Sequence, residues 1–187
     1  MQERAFDTPV HIGDKIDFER EIDNSFSLTF LPLDFFDHWN RASLMANFVA
    51  DYYLHNFPDT GDHNLISTVL NELIENAVKF SRNNSTAVEM TTRKRGSALL
   101  MRLKNCIPDR RIAPFLDVCH DLFNYDLDEL YLRKLTENAD NSYASGIGLI
   151  LIKKDYSSAL SFDFSEDESC VVRVSVTTEL DFPETRS

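Results

Sequence analysis

Glycine, proline and cysteine are scarce in this chain: five, six and three among 187 residues. So little glycine and proline excludes a collagen-like, linker-rich or low-complexity protein and leaves most residues to regular elements. The cysteines, Cys106, Cys119 and Cys170, have no metal-ligand spacing and read as free thiols filling a core in a reducing compartment. Basic residues are also few, 19 against 31 acidic, for a net charge of −12, so the average surface repels nucleic acid and anionic lipid. No run approaches the roughly 18 apolar residues of a membrane span. The polar start Met1-Gln2-Glu3-Arg4 opens no signal-type stretch. These absences predict a cytoplasmic protein with neither nucleic acid nor membrane as partner. What is present, 43% hydrophobic and 27% charged residues, suits a globular chain with a real core.

Residues 1–24 are charged and weakly patterned, an extended arm or an edge hairpin. Phe26, Leu28 and Phe30 alternate with Ser25, Ser27 and Thr29, the period of a half-buried strand. From Asp34, a candidate N-cap, apolar residues at helical spacing predict one long helix ending near Pro58. Its Phe35, Phe36 and Trp39 read as core or, in part, as a partner surface. A second helix is predicted from about His63 to about Arg82, with Ile66, Val69, Leu70, Leu73, Ala77 and Phe80 on one arc. Thr68, Glu72, Glu75, Asn76, Lys79 and Asn83 share the opposite, polar arc. Residues 87–92 and 97–104 flank Arg93-Lys94-Arg95-Gly96 as a hairpin. Residues 108–145 form a partly helical insertion, Ser145-Gly146-Ile147-Gly148 leads into a third helix ending near Tyr156, and strands follow near 160–164 and 171–177. This order predicts an α/β two-layer sandwich with helices on one face of a mixed β-sheet. The expected organisation is an extension over 1–24, a domain over 25–180 with a lid-like insertion at 108–145, and a tail over 181–187.

Two segments carry candidate chemistry. Glu72, Asn76 and Lys79 project together from one helical face: a carboxylate suited to general-base work, an amide oxygen suited to Mg²⁺, and an ammonium suited to phosphate. Read alone, such a set is also what a solvated helix face presents. Gly146 and Gly148 stand where a helix begins, so backbone amides there can approach an anion; two glycines before a helix also make an ordinary tight turn.

Together, Leu70-Asn71-Glu72-Leu73-Ile74-Glu75-Asn76-Ala77-Val78-Lys79-Phe80-Ser81 resembles the N-box of the GHKL superfamily, the ATP-binding fold of DNA gyrase, the heat-shock chaperone, histidine kinases and mismatch-repair proteins. Ser145-Gly146-Ile147-Gly148-Leu149-Ile150-Leu151-Ile152-Lys153 resembles its G2 box. The resemblance spans roughly 26–178, and the bare architecture is similar to stand-alone anti-sigma-factor kinases and related bacterial ATP-binding regulators. It implies a histidine-kinase-type ATPase fold, with ATP and Mg²⁺ as cofactors. It also implies transfer of phosphate to a serine or threonine of a protein partner, an antagonist or sigma-factor-like regulator. By the same resemblance Glu72 is the catalytic base, Asn76 the Mg²⁺ ligand, Lys79 faces the phosphates, and Ser145, Gly146 and Gly148 wrap the triphosphate.

The G1 position departs from the family pattern. Leu103-Lys104-Asn105-Cys106-Ile107-Pro108-Asp109 offers Asn105 where the family has an adenine-binding aspartate, and it lacks the glycines that follow. A neutral acceptor in place of a charged one predicts adenine binding weaker by roughly tenfold. The alternative reading is a catalytically degenerate protein-binding module with weak or no nucleotide binding. No histidine lies in a phosphoacceptor setting, so autophosphorylation on histidine is not expected. A homodimer contact, if one forms, is expected on the first helix.

Overall fold

The computed structural model describes residues 9–35, 38–53, 60–81, 86–139, 147–156, 159–167 and 170–182. The elements run β1 (Val10–Gly13), β2 (Asn24–Phe30), a 3₁₀ turn (Pro32–Phe35), α1 (Asn40–Tyr53), α2 (Thr60–Phe80), β3 (Val88–Arg95), β4 (Ala98–Ile107), α3 (Asp109–Asn124), α4 (Leu127–Ala139), α5 (Ile147–Asp155), β5 (Ala159–Asp167) and β6 (Cys170–Asp181). The strands form one six-stranded sheet in the order β1-β5-β6-β4-β3-β2. The expected two-layer α/β sandwich is what forms. The sheet, however, is antiparallel at every pairing rather than mixed. The reason lies in β6: the helical crossover from β4 to β5 joins two parallel strands, and β6 slots between them, antiparallel to both.

Alternation along each strand separates the two faces of the sheet. One row, Leu28, Met90, Leu103, Val176, Phe162 and Ile12, crosses all six strands in register and packs under the helices. Against it α2 buries Ile66, Val69, Leu70, Leu73 and Ala77 of the apolar arc read from its periodicity; Phe80 of that arc is only partly buried, and Ile74, outside it, is buried as well. Tyr53 closes α1 onto the sheet, its hydroxyl 3.0 Å from Thr92 Oγ1 on β3.

The expected single long first helix is broken. Pro32 and Phe35 are buried in the short 3₁₀ turn, and α1 starts only at Asn40. Asp34 does not cap that helix; its Oδ2 accepts the Leu31 amide at 3.3 Å and closes the turn instead. Phe35 is core, as expected, but Trp39 is half-exposed, and Phe36 lies outside the described residues. The hairpin of β3 and β4 turns at Gly96, whose φ of +57° is the left-handed conformation glycine adopts without strain. Within the insertion, Asp126 caps α4 by accepting the amides of Asp128 and Glu129, both at 3.0 Å.

The cysteines correct an expectation. Cys106 is disulfide-bonded, while Cys119 is a free, buried thiol whose pKa burial pushes up. Spacing along the chain carries no signal for such a bond, because it depends on which segments the fold brings together. No helix among the described residues is long and apolar enough to cross a membrane.

The N-terminal segment is built into the sheet. β1 and β2 lie at opposite edges, so residues 14–23 must cross the width of the sheet, and they do so on the face away from the helices. Phe18 packs on Ala98 and Leu100, with the Arg102 and Arg93 guanidinium carbons 3.8 and 4.6 Å from its ring centre. Glu19 binds Arg93 at 2.7 Å and Arg102 at 2.9 Å, and Asp23 accepts the Gly96 amide at 2.8 Å. The Arg93 hydrogen bond holds the Glu19 carboxyl below its usual pKa, and the Gly96 amide does the same for Asp23. Depressed carboxyl pKa values stabilise above the unfolded value and lose that contribution as pH falls through the folded one. We therefore expect this strap to loosen as pH drops below about 4. Hydrogen exchange should show residues 16–23 losing protection before β4; simultaneous loss would refute it.

Candidate functional site

Burial decides what the polar arc of α2 does. Glu75 is already engaged, its Oε1 accepting the Asn71 amide at 2.8 Å. Glu72, one turn before Asn76, makes no hydrogen bond or ion pair among the described residues and is about half withdrawn from water. Its carboxyl pKa is raised, first by that burial and then by the neighbouring charge of Glu75. The Asn76 Nδ2 is wholly buried without a hydrogen-bond partner. A buried amide left unsatisfied costs on the order of 1–3 kcal/mol, which such sites tolerate when a ligand completes them.

What covers Glu72 and Asn76 is the start of α5. A Cβ built on Gly148 would overlap the Glu72 carboxylate and come within 3.5 Å of Asn76 Nδ2. The N-box-like and G2-box-like segments, about seventy positions apart, thus meet at one point, and only glycine leaves the carboxylate room there. Ser145 and Gly146, the other expected residues of the second segment, lie outside the described residues.

Beside this contact, a small cavity runs between α2, β4, α3 and α5, with Asn76, Asn105, Phe80, Phe115 and Leu149 among its walls. Asn105 is 4% exposed, and its Nδ2 donates to the Ala77 carbonyl at 3.3 Å. That bond commits the donor end of the amide and leaves the oxygen as the remaining acceptor. It also explains the amide: a carboxylate at this position would face the Ala77 carbonyl without a proton to share. Asn105→Asp should therefore destabilise by about 1–3 kcal/mol. A thermal melt should fall about 2–4 °C per kcal/mol, and an unchanged melting temperature would refute the assignment.

The cavity measures about 20 Å³, room for roughly one water. Ligand pockets usually reach roughly 300–1,000 Å³. The walls of this cavity are apolar but for the amides of Asn76 and Asn105, and the space between them does not admit a purine base. Phe115 is the main plug, its ring centre 6.1 Å from Phe80 and 5.8 Å from Phe162. Parting α3 and α5 from α2 is what a nucleotide would require.

Lys79 stands at the Phe80 wall, its ammonium 5.8 Å from the ring centre. Arg111, from the first turn of α3, lies 5.4 Å from the same ring and donates to the Lys79 carbonyl at 2.7 Å. The sequence reading missed Arg111. Its one signal was the Arg110-Arg111 pair just after Pro108, at the start of the insertion. Among the described residues no cluster of three His, Cys, Asp or Glu side chains could hold a metal ion. Mg²⁺ commonly takes only one or two protein ligands and completes its shell with phosphate and water, which fits a single amide better than a protein cage.

No family model matches the sequence, and no curated protein matches it. Among solved structures, the fold is similar to a chain in the crystal structure of the SiaB-SiaC complex from Pseudomonas aeruginosa. The TM-score is 0.58 at 12% identity, over 86% of this chain and 91% of that one. At that identity the likeness is one of fold.

Proposed function

We propose that this chain is a regulator that binds Mg²⁺ and ATP between α2 and α5 and phosphorylates a serine or threonine on a protein partner. The observation that carries the reading is the meeting of Glu72, the unsatisfied Asn76 amide and Gly148 at one point. Support for a protein partner comes from the similar chain's presence in a two-protein complex. The cofactor supplies the phosphoryl group, with the metal neutralising its charge.

In this reading Glu72 takes the proton from the attacking hydroxyl at a carboxylate oxygen, and burial, by raising its pKa, makes it a stronger base than an ordinary carboxylate. The Asn76 amide oxygen holds the metal, and Lys79 faces the phosphates. Gly148, with Ser145 and Gly146 before it, gives the backbone close approach to them. Asn105 accepts from the adenine amine through its free oxygen. Arg111 adds a second cation beside Lys79.

The closed cavity favours a second reading, a protein-binding module that keeps the fold without the nucleotide. Calorimetry separates the two. Under the first, ATP with Mg²⁺ gives a saturable heat and stabilises the fold in a thermal melt. Absence of both at millimolar nucleotide would support the module. The kinase reading further requires radiolabel from γ-phosphate to reach a serine or threonine of a co-purifying partner.

A further inference from the structure

The face of the sheet turned away from the helices carries a second opening. Leu103 and Val176 pack under the helices, so their neighbours Lys104 and Ser175 stand on the opposite face. They belong to a row that crosses four strands in register: His11 on β1, Asp163 on β5, Ser175 on β6 and Lys104 on β4. At roughly 4.8 Å between strands the row is about 14 Å long. The strap begins beside it, and Lys15, Ile16 and Asp17 form one wall. Between wall and floor lies an open groove of about 680 Å³, within the roughly 300–1,000 Å³ usual for small-molecule sites.

The charges of this groove set it apart. The chain has 31 acidic residues against 19 basic ones, so a cation is rarely short of a carboxylate. Arg93, Lys94, Arg95, Arg102, Lys153 and Lys154 are each ion-paired. Lys15 and Lys104, which both face the groove, make no hydrogen bond or ion pair among the described residues, although Glu89 stands across from Lys104 on β3. The acids nearby are already taken: Asp163 accepts from His11 Nδ1 at 2.7 Å, and Glu19 binds Arg102 at 2.9 Å. Asp17 is the carboxylate of the groove left without a partner among the described residues. Two free ammonium groups against one free carboxylate make the opening locally positive on a molecule of net charge −12.

That contrast selects the size of the occupant. A polyanion such as nucleic acid, or an anionic bilayer, meets the whole acidic surface and is repelled. A small anion meets only the groove, because charges beyond about 8–10 Å are screened at ordinary ionic strength. The two ammonium groups match two negative charges, and Asp17 opposes a third.

We propose that this groove binds a small organic dianion, a dicarboxylate or a phosphate monoester, held between Lys15 and Lys104 with the Ser175 hydroxyl donating from the floor. The site lies on the opposite face of the sheet from the contact of α2 with α5 and needs no nucleotide. It therefore stands or falls apart from the proposed kinase activity.

Amide NMR spectra of the full chain, recorded without nucleotide at constant ionic strength, test it with succinate and glycerol 3-phosphate as probes. At least one should move resonances around residues 11, 15–17, 102–104, 163 and 175 saturably, and the tighter of the two assigns the ligand to carboxylates or to phosphate esters. Lys15→Gln and, separately, Lys104→Gln should weaken binding by about fivefold with a native-like thermal melt, since neither lysine holds another part of the described fold. Asp17→Asn should tighten it by about twofold, a change of opposite sign that damage to the fold would not produce. Absence of saturation by either probe at high millimolar concentration would overturn the proposal. So would shifts clustered at α2 and α5 instead, or an affinity indifferent to both lysine substitutions.

Discussion

Replacing Glu72 by glutamine is expected to cut the proposed phosphoryl transfer sharply while making the protein more stable. The amide keeps the shape of the side chain beside Gly148 and removes the proton acceptor, for a loss of about 10²- to 10⁴-fold in rate. The stability change has the opposite sign because the native carboxylate is held half-buried with no ion-pair partner among the described residues. A carboxyl whose folded pKa lies above the unfolded value adds stability below the unfolded value and loses it as pH rises through the folded one. Near neutrality the wild type therefore carries a penalty that Glu72→Gln removes. The gain should be about 0.5–2 kcal/mol, a rise in melting temperature of about 2–4 °C per kcal/mol. Melting curves across pH check the sign: the advantage of the variant should grow from acid toward neutral pH. A variant less stable than wild type at neutral pH would mean that the carboxylate serves the fold. Transfer unaffected by the change would remove Glu72 from the mechanism.

The parts of this fold legible in the sequence are those that local pattern determines. The period of Ile66, Val69, Leu70, Leu73 and Ala77 gives α2 and the face it buries, and Gly96 between two branched runs gives the β3–β4 hairpin. The position of α5 follows from the glycine-containing segment Ser145-Gly146-Ile147-Gly148 at its start. Elements fixed by distant contacts are a different matter. Nothing near Val10–Gly13 says that it pairs with β5, some 150 residues away, and the strap from Asp14 to Asp23 is held by Arg93 and Arg95, which the sequence places between the two strands of a hairpin, and by Arg102 of the second strand. The break before α1 arises because Pro32 and Phe35 are buried by tertiary packing, which helical periodicity cannot register.

The site divides in the same way. Residue types at helical spacing singled out Glu72 and Asn76, but which glutamate is engaged emerges only from the Asn71–Glu75 hydrogen bond. Arg111 was hidden because its partner is a backbone carbonyl, which has no sequence identity. The tightness of the cavity was equally invisible, since Phe115 reaches it from an insertion whose packing against β5 is a matter of three dimensions.

Gly148→Ala tests whether the meeting of α2 and α5 is functional. The added methyl would occupy the place of the Glu72 carboxylate. The obstructing atoms are the far end of a flexible side chain, so the backbone need not move; the carboxylate swings away and leaves its position beside residue 148. Stability should then change by less than about 1 kcal/mol, since a surface-reaching side chain can rotate and alanine favours the helix. Transfer should fall nearly as far as in Glu72→Gln, about 10²-fold or more. The decisive measurement is the double-mutant cycle. If Gly148 acts only by leaving room for Glu72, the second substitution adds almost nothing in the Glu72→Gln background, because the two changes remove one and the same interaction. Additive losses would show instead that Gly148 acts on its own, through backbone approach to the phosphates, and would separate the glycine from the base.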